Sequence, residues 1–210
     1  MKLPTISIVS PRWSPPRDWA LSGGLLLTGT SPAALAHTGH GSAGLAAGLL
    51  HPFTGWDHLL AMVAVGLWAA QARQRAAVWW LPAAFMGALL AGAVLAMAGA
   101  PQVGPATWVE SGIAASVLAL GLCITLALRP PLLASLFVTA TFGLVHGYAH
   151  GLELPDAASP LLYTVGFLLA TASLHLMGVV LGYAARRHVL ATRLMGGLIA
   201  AGGVGFLTLL

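Results

Sequence analysis

Six windows of about 20 apolar residues follow one another from residue 45 to the C-terminus. They lie at roughly 45–70, 76–99, 107–128, 131–152, 160–185 and 190–210. Each is long enough to cross the hydrocarbon core of a bilayer. There a backbone must satisfy its own hydrogen bonds, which leaves the helix as the spanning form for apolar runs of this length. Charged residues make up only 7% of the chain, against about 25% in soluble domains. The expected fold is an all-α integral membrane protein of six transmembrane helices. In the last window Thr192 and Arg193 shorten the clean apolar part to 194–210.

The segment before these windows has the pattern of an export signal. Lys2, Arg12 and Arg17 form a basic leader, "WALSGGLLLTGT" (19–30) is a short apolar core, and "SPAALA" ends on the small residues Ala34 and Ala36. Cleavage after Ala36 is expected, with residues 1–36 as signal peptide and 37–210 as the membrane domain. Arginines fall at 73 and 75, at 129, and at 186, 187 and 193, in the first, third and fifth connections. Cationic loops stay in the cytoplasm, so both mature termini are expected in the periplasm and the protein in the bacterial inner membrane. Trp68, Trp79 and Trp80 would mark the inner interface and Trp108 the outer one.

This topology divides the chain into two sets of three spans. "GLLHP" (48–52) in the first span is echoed by "GLVHG" (143–147) in the fourth, and the two spans run in opposite directions. A 3+3 inverted repeat is therefore expected, as in many secondary transporters.

Ionisable residues inside spans are costly and usually functional. His51, Asp57 and His58 lie within eight residues of the first span, and "HGYAHGLE" places His146, His150 and Glu153 at helical spacing in the fourth. Pro52 removes a backbone donor and should kink or open the helix, turning Asp57 and His58 relative to His51. Counted along the spans, His51 is expected about 9 Å below the outer boundary and His58 about 20 Å down. His146 then matches the depth of His51, so those two should share an ion that Glu153 and His150 attract and Asp57 with His58 carry inward. Imidazole and carboxylate donors suit a borderline divalent metal.

"HPFTGWDHLLAM" (51–62) matches the pattern H-P-x-x-G-x-D-H-L-L-A-M, and "HGYAHGLELP" (146–155) the pattern H-G-x-A-H-G-x-E. By both motifs, and along essentially the whole mature chain, the sequence resembles the HupE/UreJ family of nickel permeases. That resemblance implies a carrier of Ni²⁺, with Co²⁺ as an alternative, moving the ion from periplasm to cytoplasm. It implies a functional link to hydrogenase or urease maturation, with His51, Asp57, His58, His146, His150 and Glu153 handling the metal. Some family members have a further histidine where this chain has Tyr148.

Four other residues are secondary candidates for the metal. His37 and His40 would stand at the mature N-terminus, either as a capture site or as a mobile tail. Glu110 opens the third span, lining the entrance or serving as a helix-start acid. His175 in the fifth span either lines the path or makes an interhelical hydrogen bond. Lys2 is the only lysine, so the mature chain has no P-loop. The single cysteine, Cys123, rules out an internal disulfide. No enzyme activity and no prosthetic group are expected. An intramembrane zinc-dependent hydrolase and a non-transporting metal- or haem-binding accessory protein are the competing readings. The expected partners are a divalent metal ion and the lipid bilayer. The dispersed basic residues exclude nucleic acid, and self-association into a homo-oligomer is left open.

Overall fold

The structure, a computed structural model, describes residues 42–101, 107–152 and 159–210. The leader with its cleavage site, His37, His40 and Glu153 lie outside the described residues. Seven α-helices follow in order: α1 (Ser42–Leu50), α2 (Trp56–Gln71), α3 (Ala77–Met97), α4 (Trp108–Thr125), α5 (Leu132–Leu152), α6 (Pro160–Ala185) and α7 (Val189–Leu209). No strand occurs among the described residues. Helices α3 to α7 are each long and apolar enough to cross a membrane. They coincide with the second to sixth apolar windows to within a few residues. This is a multi-pass membrane protein.

The first window is broken. A single 3₁₀ turn, His51–Phe53, separates α1 from α2, and the two helices meet at 79°. Pro52 starts the break, as its missing N–H and ring require. Gly55 completes it, with φ −111° and ψ 118°, an extended conformation that ends one helix and begins the next. The bent pair counts as a sixth span if both halves together cross the bilayer. Depth counted along a straight helix therefore fails from His51 onward.

Helix α2 is the hub. Every residue from Ala61 to Ala69 is buried, as expected of a helix apolar on all sides and enclosed by others. Trp68 belongs to that core, only 2% exposed, with its indole N–H donating to the Leu128 carbonyl at 2.9 Å. It is thus no part of a lipid-facing aromatic belt, because its polar group is satisfied inside the bundle. Trp79 and Trp80 do face outward.

Three interfaces dominate: α3 with α5, α4 with α7, and the broken α1–α2 with α6. Glycines set all three. Any Cβ at Gly147 of α5 would overlap the Leu89 backbone of α3, one at Gly66 of α2 the His175 backbone of α6, and one at Gly203 of α7 the Leu118 backbone of α4. Lipid tails are as apolar as leucine, so close backbone approach between small residues replaces the hydrophobic drive that pairs helices in water. These seams fix the rotation of α5, and so decide which way its histidines point.

Candidate metal site

The break at Pro52 has a chemical consequence. It creates a new helix N-terminus at Trp56 and puts the half-buried Asp57 in its first turn. A carboxylate there is favoured by the helix dipole and by free backbone donors. Asp57 Oδ1 accepts the backbone N–H of His58 at 2.8 Å and lies 2.8 Å from His58 Nδ1. An ionised carboxylate has no proton to give, so His58 donates from Nδ1 and keeps its lone pair on Nε2. That Nε2 is buried with no hydrogen-bond partner.

His146 repeats this arrangement from the other side. Its ring is fully buried, with Nε2 2.9 Å from Ser116 Oγ on α4. The single Ser116 hydroxyl proton goes to the Ile113 carbonyl at 2.6 Å, so the imidazole is the donor in the Ser116 contact. The lone pair of His146 is then on Nδ1, which is also buried without a partner. In each ring one nitrogen is held by a protein group and the other presents an unused lone pair. Oriented metal-binding histidines share this feature.

The rings are neighbours. His58 lies with its centroid 5.1 Å from His146 and 4.5 Å from His150, and His150 lies 4.8 Å from His51. His51 Nε2 and His150 Nδ1 share a hydrogen bond of 3.1 Å. The two motifs thus come together, but in a different pairing from that expected along straight helices. His51 pairs with His150 and His58 contacts His146, because the 79° bend carries His51 away from the α2 axis. Phe167 of α6 lies against both His51 and His150. Among the described residues no group of three or more His, Cys, Asp or Glu side chains is already set to hold one ion. As packed, the His51 and His150 rings bond each other, and His58 and His146 each present an unpartnered nitrogen.

A cavity of about 430 Å³ opens onto this cluster, lined by Asp57, His58, Glu110, Ile113, Ala149 and Phe206 among others. Glu110 lines this cavity and also stands in the first turn of α4, a position consistent with either of its two expected roles. With two carboxylates and no cationic residue in its lining, this vestibule has a potential that attracts positive ions. His175 is elsewhere: 1% exposed, with neither ring nitrogen bonded, and edge-on to Phe85 at 5.2 Å. Among the described residues it makes no interhelical hydrogen bond. On its other flank Phe85 meets His146 at 5.4 Å, so one phenyl ring separates His175 from the histidine cluster. Tyr148 turns away from the cluster, its hydroxyl donating to the Ala100 carbonyl and its ring lying against Trp108.

Sequence reasoning missed Ser116 and Phe85. Ser116 had a faint signal, a hydroxyl in the middle of an apolar window. Phe85 had none, since an aromatic residue in a span is ordinary core.

The match to known proteins runs through the same motifs. The family model described as HupE / UreJ protein matches residues 25–206. Protein HupE of Rhizobium leguminosarum bv. viciae is 39% identical over 176 residues, covering 82% of this chain and 88% of that protein. No solved structure matches the chain. With both histidine motifs and helices α1 to α6 inside the matched region, which ends within α7, the chain belongs to the HupE / UreJ family.

Proposed function

We propose that the protein is a secondary permease that moves Ni²⁺, with Co²⁺ as the alternative cargo, from periplasm to cytoplasm across the inner membrane. One observation carries this reading: two adjacent imidazoles, the part-buried His58 and the fully buried His146, each present a buried, unpartnered nitrogen lone pair while the other nitrogen is anchored. Neutral imidazole suits nickel, and a buried lone pair without a partner is costly unless something binds it.

The cation would enter the vestibule past Glu110 and reach His58 and His146. The ring pair His51–His150 would join by exchanging its mutual hydrogen bond for the ion, with Glu153 as a further donor. Asp57 acts chiefly through His58, fixing its tautomer, and its charge offsets that of the ion. Beyond the cluster His175 is the next unpartnered imidazole, reached when Phe85 moves aside. His37 and His40 would serve as an N-terminal capture site. Delivery would supply hydrogenase or urease.

The pairing of helices supports the 3+3 inverted repeat. Exchanging the halves turns the first-with-fifth interface into fourth-with-second, which is the α5–α3 pair, and returns third-with-sixth to itself. In this scheme the bent α1–α2 pair is the first of six spans, residues 1–36 are removed, and both termini are periplasmic. An intact mass beginning at His37 is expected for the native protein.

The deciding experiment is uptake into proteoliposomes of Ni²⁺, Co²⁺ and Zn²⁺, with His58→Ala, His146→Ala and the double variant. Either single change is expected to abolish transport and the second to add little. Full transport by either single variant at normal protein level overturns the proposal.

A further inference from the structure

The end of the bundle opposite the vestibule has the reverse electrostatics. Among the described residues the only carboxylate side chains are Asp57 and Glu110, both at the vestibule. At the other end the C-terminal ends of α2, α4 and α6 meet the start of α7 around a cavity of about 260 Å³. Arg129, Arg186 and Arg193 line it together with Gln71 and Thr192. A neighbouring cavity of about 450 Å³ shares Arg186 and adds Arg75, Gln74 and Tyr183. No carboxylate lines either cavity. Among the described residues none of these four arginines forms an ion pair or a side-chain hydrogen bond with protein.

Topology alone requires positive charge on this side, but not that three arginines surround one concavity. Like charges brought together around a cavity repel unless an anion sits among them. Guanidinium forks match the oxygens of a phosphate. The anion's source is indicated by the surroundings: Leu126, Leu128, Leu190 and Leu194, which flank the lining residues in sequence, are exposed apolar side chains. The charged cavity therefore borders a surface suited to acyl chains. Basic pockets between helices at a cytoplasmic face are a recurrent site for acidic headgroups.

We propose that this cavity binds the phosphodiester of an acidic phospholipid, held by Arg129, Arg186 and Arg193. The site is independent of the metal reading and stands at the other end of the protein.

The test uses the full chain purified in detergent, probed by thermal unfolding and by native mass spectrometry. The additions are phosphatidylglycerol, cardiolipin, phosphatidylcholine and inorganic phosphate. Acidic lipid should raise the melting temperature and remain bound where phosphatidylcholine does not. Arg129→Gln, Arg186→Gln and Arg193→Gln should each weaken that binding about fivefold. Arg187→Gln is the control, an exposed arginine that lines neither cavity, and should leave it unchanged. Arg193→Lys keeps the charge, and with it folding and topology, yet should still weaken binding by losing the fork. Equal response to acidic and neutral lipid overturns the proposal. So does equal loss in Arg187→Gln, which would mean diffuse attraction. Stabilisation by inorganic phosphate as strong as by lipid would overturn it in favour of a soluble anion site.

Discussion

Gly147 carries the histidines of α5 into place, and its replacement by alanine is the sharpest test of the packing. A Cβ there would lie 2.6 Å from the Leu89 carbonyl carbon and closer still to its oxygen. Carbon atoms pack at about 3.5–4.0 Å, so α3 and α5 must part by about 1 Å. Overpacking of this kind costs about 1–3 kcal/mol. The upper half of that range applies because a backbone carbonyl in a helix cannot rotate away. Gly87→Ala is the reference, since a Cβ at Gly87 of α3 meets nothing within 4 Å. Both changes gain the same helix propensity, about 1 kcal/mol, so the term cancels in the comparison. About 2–3 kcal/mol at roughly 2–4 °C per kcal/mol leaves Gly147→Ala melting about 4–12 °C below Gly87→Ala. Tryptophan fluorescence of the detergent-purified protein would read this directly. Because His146 and His150 flank Gly147, metal uptake should fall as well. Equal melting temperatures for the two variants would refute the close α3–α5 seam and the histidine placement that depends on it.

Ser116→Ala removes the group that holds His146 Nε2, and should weaken metal binding about tenfold in equilibrium titration while His146 itself remains. Glu110→Gln should raise the KM for metal uptake and leave the maximal rate nearly unchanged, since the side chain lines only the vestibule; an unchanged KM would count against its role in capture. Protons compete with metal for imidazole, so uptake should weaken on acidification and recover when the pH is raised again; a rate that rises on acidification would contradict the histidine site. A reporter active only in the periplasm should work when fused after Leu210 and fail when fused near Arg129; the reverse result would invert the proposed orientation.

How far the sequence disclosed this arrangement varies with the physics involved. Apolar length is local information, and five of six windows match single helices closely. Pro52 marked the break in the first. The size of the bend depends also on Gly55, whose extended backbone is one of several conformations open to glycine. The histidines were legible as a group because ionisable residues stand out in apolar helices. Their partners were not, since His51 meets His150 only after the bend, and His146 meets Ser116 through the register of α4 against α5. That register depends on glycines, which a hydropathy profile passes over as filler. Trp68 was misplaced for a related reason: position along a span says nothing about which face is buried.

The glycine seams also determine how the molecule can move. Helices joined backbone to backbone have no layer of flexible side chains between them, so each of the three tight pairs behaves as a two-helix beam. Displacement is easiest at the joints between beams, where longer side chains mediate contact. His51 and His58 belong to the beam of α1–α2 with α6, and His146 and His150 to that of α3 with α5. Ser116, which anchors His146, is on the third. The imidazole cluster therefore lies across a joint where all three beams contribute. An ion bound by both motifs would act as a rivet there, and its release would free the beams to tilt.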